Sequence, residues 1–150
     1  MKTVFDKSTR EDLIRRIDSL QENSRAQWGK MTVLQMARHC TAWEEMIHQN
    51  KRYERPLIGR LIGKLILKSV MKDDRPLRKN TPTIPDLIIT NNDIDLQKEK
   101  LKWMVLLQEY ATYAYPDHSF VHPFFGRMSR EEIGIMVYKH NDHHLRQFNG

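Results

Sequence analysis

Residues Ser129–Phe148 read SREEIGIMVYKHNDHHLRQF, and the reading of this stretch decides the fold. It opens with Ser129-x-x-Glu132, a capping box, in which a hydroxyl and a carboxylate satisfy the amide donors that a helix start leaves unpaired. Ile133, Val137, His140, His144 and Phe148 then step by four, three, four and four, the spacing of one helix face. His140 and His144 therefore stand one turn apart on the apolar side. His143 is turned by roughly 100° from His144, and Asp142 by about 200° from both His140 and His144. Two imidazoles on a core-facing stripe are either satisfied core histidines or a pair of ligands aimed at one ion.

Working outward, the same periodicity marks further helices. One runs from about Ser8 to Gln21, with Ser8-x-x-Glu11 as a capping box and Leu13, Ile14, Ile17 and Leu20 as its stripe. A second opens with Thr32-x-x-Gln35 and continues to about Asn50, repeating Val33, Met36, Ala37, Cys40, Trp43 and Ile47. His39 falls three after Met36 and four before Trp43, on or beside that buried face. A third, Pro56 to about Met71, alternates Leu57, Ile58, Leu61, Ile62, Leu65 and Ile66 with Arg60, Lys64 and Lys68. It is too short and too charged to span a bilayer. Packing on the core is the expectation, with a membrane surface as the competing one; Gly59 and Gly63 would admit a close helix contact. A long proline-containing loop over 72–92 follows, of a length often tied to function. The fourth helix is expected from about Asp95 to Ala114, carrying Leu96, Leu101, Met104, Val105 and Leu107, and ending before Tyr115-Pro116. Helices of these lengths predict an all-α antiparallel four-helix bundle, with room for one extra short helix.

The composition agrees with such a domain. A chain of 150 residues with 39% hydrophobic and 29% charged residues fits one globular domain covering 1–150. One cysteine, Cys40, excludes an intramolecular disulfide and Cys-rich zinc patterns. Charged residues near the start leave no apolar signal-peptide core, so a cytoplasmic location is expected. The net charge of +6 is spread through the chain and mixed with acids, without an aromatic-interleaved basic block. Nucleic acid is not an expected partner; an anionic small-molecule substrate is compatible.

For the histidines, the i, i+4 pair needs a third ligand from another helix, and His39 is the inward-facing candidate. Three neutral imidazoles with one open position make a zinc-like site, although nickel, iron, manganese and copper also accept imidazole. Asn141 stands where a His-Glu-x-x-His peptidase carries its general-base glutamate, which argues against that mechanism. Gln35 and Gln147 are candidates to orient imidazoles, or are simply polar residues at a helix edge. His122 is a candidate extra ligand or pocket wall; Glu44 and Glu45 are candidate bases by their nearness to His39. Trp28, Tyr138, Phe124 and Phe125 are candidate pocket linings, and Cys40 is read as a small buried residue. His48 and His118 have no supporting pattern.

Trp28-Gly29-Lys30-Met31-Thr32 followed by Gln35-Met36-x-x-His39, with the ending His140-x-x-x-His144-x-x-Gln147, resembles the DinB-like superfamily. PLIGRLIGKLILKSV, LRKNTPT and HPFFGRMS are similar to one uncharacterised branch of it. The resemblance covers nearly the whole chain and lies in the ordered combination of these motifs. It implies a four-helix bundle with a divalent metal, often zinc or nickel, on His39, His140 and His144, and it makes a homodimer a reasonable expectation. It also implies relatives that are metal-dependent thiol S-transferases using a low-molecular-weight thiol, a maleylpyruvate isomerase, and proteins without assigned activity. Many members end in His-Arg-Gly-Gln, whereas this chain has His144-Leu145-Arg146-Gln147. The functional expectation is a metal-dependent enzyme activating water or a small thiol, hydrolase-like or an S-transferase. The alternatives are a metal-stapled binding or stress-response module, and a metal-free interaction protein using the basic third helix.

Overall fold

The computed structural model describes residues 1–114 and 120–150. Among these the chain is all-α apart from one small ribbon. Its elements are α1 (Lys7–Asp18), α2 (Val33–His48), α3 (Leu57–Val70), a 3-10 turn (Pro85–Leu87) and α4 (Leu96–Glu109), then β1 (Val121–His122), β2 (Gly126–Arg127) and α5 (Arg130–Gln147). Tyr115-Pro116 and His118 lie outside the described residues.

Two of the three expected capping boxes form. At α2, the Thr32 hydroxyl accepts from the Gln35 amide at 3.2 Å while the Gln35 side chain accepts from the Thr32 amide at 3.1 Å. At α5, Ser129 and Glu132 make the same reciprocal pair at 3.1 and 2.8 Å. The Ser8–Glu11 box does not form, because α1 starts at Lys7 with Asp6 as its N-cap and no side-chain cap. Tertiary anchoring sets that start instead. The Val4 amide donates to the Gly134 carbonyl at 3.0 Å, and the Arg10 guanidinium donates to the Val4 and Phe5 carbonyls at 2.9 and 2.8 Å.

Four helices close a ring, with α1 against α4, α4 against α2, α2 against α5 and α5 against α1. Inside it lie Leu13 and Ile17 of α1, Met36, Cys40 and Ile47 of α2, Trp103 and Leu107 of α4, and Val137 and Leu145 of α5. Two buried ammonium groups tie helix ends to this frame. Lys100 of α4 donates to the Asp18 and Leu20 carbonyls at 2.6 and 2.9 Å, and Lys139 of α5 donates to the Val70 carbonyl at 2.8 Å. Each places a cation at the negative end of a helix, α1 and α3 respectively.

Three expectations need correction. α4 stops at Glu109 rather than reaching 114, and Tyr110 and Tyr113 fold back into the core. Leu101 and Val105 are exposed, because α4 turns Leu96, Lys100, Trp103 and Leu107 inward instead. The third correction concerns α3, whose large apolar side chains, apart from Leu67, do not pack on the core. Its buried residues are Gly59, Gly63 and Leu67, while Leu57, Leu61 and Leu65 are 76%, 78% and 69% exposed. The four-helix ring is already closed without α3, which packs against β2 and reaches α5 through the Lys139–Val70 bond and the Lys64–Glu132 ion pair. Gly59 and Gly63 do admit a close approach, but of the backbone at Phe124 and Phe125 rather than of another helix.

Candidate metal centre

α2 and α5 present His39, His140 and His144 to one another. All three are buried, and one ligand atom from each lies within 4.8 Å of the others. The Nε2 atoms of His39 and His140 are 3.2 Å apart. Two nitrogens bound to one tetrahedral ion at about 2.0–2.1 Å stand roughly 3.3 Å apart, so the spacing suits a shared metal. Trp43, one turn beyond His39 on α2, stacks on His140 with ring centroids 4.3 Å apart and planes at 15°.

Hydrogen bonds decide which nitrogen of His39 and of His144 faces the centre. His39 Nδ1 lies 2.9 Å from the Leu87 carbonyl, which can only accept, so Nδ1 carries the proton and Nε2 the lone pair. The second case runs through Gln147. Its amide nitrogen donates to the Trp28 carbonyl at 2.7 Å, which turns its oxygen toward His144 Nδ1 at 2.9 Å. His144 must therefore donate from Nδ1, and its Nε2 is left with a lone pair. This outer arrangement, an acceptor on the far nitrogen of His39 and of His144, is the one that orients metal-ligating histidines. His140 Nδ1 is buried without a hydrogen-bond partner. Burial holds all three rings below the ordinary imidazole range, His140 and His144 well below it. The charge of neighbouring rings depresses them further, His144 and His39 acting on His140, His39 on His144, and His143 on His39. Neutral rings are the ligating form.

Backbone geometry supports Gln147 from below. Gly29 has φ +81°, and a Cβ there would lie 2.7 Å from the Gln147 amide nitrogen. The Trp28-Gly29 turn thus needs glycine both for its left-handed conformation and to let the amide through.

The remaining candidates divide. Gln147 does brace His144. Gln35 does not brace His39, because its side chain is committed to the Thr32 capping box. His122 is absent from the three-histidine cluster. Its Nδ1 accepts from the Phe124 and Phe125 amides at 3.1 and 3.2 Å, which puts the ring proton on Nε2. That tautomer offers no free lone pair, and burial pushes the ring's pKa down to about 3. His143 occupies the neighbouring face that helical rotation assigns it, edge-on to Trp28 and His144 at 5.5 and 5.1 Å.

Neither glutamate reaches the centre as a base. Glu44 is fully buried, accepting from the Tyr110 hydroxyl and the Asn141 amide, each at 2.7 Å. Asn141 in turn accepts from the Trp103 indole at 2.6 Å, so it faces the core network. Glu45 pairs with Arg38 and Lys102. Arg146 pairs with Asp142 at 2.7 Å on the helix exterior. Cys40 is buried against Met36 and is not part of the cluster. Among the pocket candidates, Phe125 packs on His122 at 4.6 Å and Phe124 wedges under α3. The Leu87 carbonyl and the Trp43 ring were not anticipated as parts of the site. The length of the 72–92 loop was the available signal for the first.

The chain is thus an all-α protein with three buried histidines on two helices that could hold a metal ion. The family profile described as "Protein of unknown function (DUF1569)" matches residues 5–150, and the chain belongs to that family. No curated protein and no solved structure matches it.

Proposed function

We propose that this protein is a DinB-like metal-dependent enzyme, with a divalent ion held by His39, His140 and His144. The observation that carries the reading is the fixed tautomer of His39 and His144, each protonated toward an acceptor and unprotonated toward the cluster. Zinc or nickel suits an all-imidazole donor set best, with iron or manganese as weaker fits. When bound, such an ion supplies Lewis-acid chemistry, acidifying a water or a low-molecular-weight thiol, as hydrolysis or thiol S-transfer requires. The chain's own contribution is positioning. Leu87 and Gln147 lock two ring orientations, Trp43 holds the third ring by stacking, and burial keeps all three neutral.

The test is elemental analysis of the purified protein, followed by thiol-transfer and esterase assays on the metal-loaded form. One equivalent of metal, lost in His39→Ala, His140→Ala and His144→Ala, supports the centre. A protein that neither carries nor takes up divalent metal overturns it.

A second reading follows from the burial of the three rings between α2 and α5: the ion staples these helices without catalysis. Chelation separates the two. A large fall in Tm with no activity in either assay supports the staple, whereas activity abolished with little loss of Tm supports the enzyme.

A further inference from the structure

α3 is an amphipathic helix turned the wrong way for a core element. At 100° per residue, Leu57, Leu61, Leu65, Ile58, Ile62 and Ile66 spread over roughly half of its circumference, interrupted by Ser69 and, at one rim, by Lys68. All six are exposed, Leu57, Leu61 and Leu65 by more than two-thirds. An apolar face of this extent marks an interaction site rather than ordinary surface.

The helix cannot roll to hide that face. Its opposite side is seated on the backbone at Phe124 and Phe125 through Gly59 and Gly63, where a Cβ would collide with the Phe124 carbonyl. Leu67 is buried beside them, and Lys139 holds the Val70 carbonyl at the C-terminal end.

Charge selects the occupant. Arg60, Lys64 and Lys68 form an exposed row along one rim of the apolar face, and the segment 57–70 contains no acidic residue. Of the neighbouring carboxylates, Asp73 is engaged by Arg75, and Glu132 by the Ser129 cap and Lys64. A second copy docking α3 on α3 would set this basic row against itself, with no carboxylate within 57–70 to answer it. The helix is 14 residues long, about 21 Å, and no described helix is long and apolar enough to cross a membrane.

We propose that α3 docks this protein on an anionic lipid surface, lying in the interface with its Leu/Ile face in the acyl boundary and its basic rim on the headgroups. This goes beyond the metal centre and does not depend on it.

The experiment is co-sedimentation of the full chain with phosphatidylcholine vesicles, with and without about 30% phosphatidylserine, across a salt series. Binding to the anionic vesicles that is at least about tenfold tighter than to neutral ones, and weakens with salt, is expected. Leu61→Gln with Leu65→Gln, and separately Arg60→Glu with Lys68→Glu, should each reduce it about tenfold or more. These side chains are exposed, and circular dichroism checks that the fold survives. The salt series on the unmodified chain tests the proposal even where a variant fails to fold. Absent binding, or equal binding to both vesicles, overturns the proposal. So does a dimer dissociated by Leu61→Gln with Leu65→Gln in a chain that ignores vesicles, which would assign the face to a second copy.

Discussion

His39 on α2 and His140 on α5 face each other Nε2 to Nε2 at 3.2 Å, joining positions a hundred residues apart across the bundle. With His39 Nε2 unprotonated, the pair is either one hydrogen bond or two ligands of one ion. Replacing either ring with alanine should remove bound metal almost completely, because two imidazoles cannot close the site. Metal content per chain after dialysis is the measurement, and retention near one equivalent would sink the assignment.

Gln147 should act through His144. Gln147→Ala removes both the acceptor for His144 Nδ1 and the bond to the Trp28 carbonyl. Metal affinity should weaken by about 10–100-fold. Competition with a fluorescent chelator reads this directly. Gln35→Ala, at a residue committed to the α2 cap, should instead cost about 1 kcal/mol of stability and leave affinity unchanged.

The Glu44 carboxyl carries a pH signature. Desolvation raises its pKa from 4.5 to about 7, against the lowering effect of the Asn141 and Tyr110 hydrogen bonds. The folded state therefore holds this proton more tightly than the unfolded chain. The associated stability is fully present below 4.5 and is lost as pH rises through about 7. Comparing Glu44→Gln with the unmodified protein by urea unfolding should show the variant gaining roughly 3 kcal/mol relative stability between about pH 4 and pH 8. A pH-independent difference would show that Glu44 does not titrate in the core.

His122 should do the reverse. Its folded-state pKa, about 3, lies below the ordinary 6.5, so the stability it contributes is present above 6.5 and lost as pH falls toward 3. Nitrogen-15 spectra should show a neutral Nε2–H ring at about pH 5, where an unperturbed imidazole is protonated. A protonated ring there would contradict the double acceptance by Nδ1.

Gly63→Ala tests the seat of α3. The added Cβ runs into the Phe124 carbonyl, which is backbone and has little room to yield. Overpacking of this kind costs about 1–3 kcal/mol. An unchanged Tm would mean that α3 is not held against the Phe124–Phe125 loop.

Local spacing alone decided a good deal. The boxes at Thr32 and Ser129 are local signals, because their partners lie three residues away and the backbone does the rest. The inward placement of His140 and His144, the rotation of His143 onto its own face and the inward face of His39 follow from 3.6 residues per turn. These are statements about one helix at a time.

Tertiary structure decided what one helix cannot specify. Ser8 forms no cap because the Val4–Gly134 bond and Arg10 set the N-cap two residues earlier, at Asp6. Gln35 is spent on its cap, while Gln147 reaches an imidazole because Gly29 lets Trp28 hold its amide. The Leu87 carbonyl that fixes His39 comes from a loop with no periodicity to read. α3 is the sharpest case. Its apolar stripe is plain in the sequence, but a stripe does not say what covers it. Once four other helices had closed the core, α3 was left seated on Gly59, Gly63 and Leu67, with its other leucines and its isoleucines facing out.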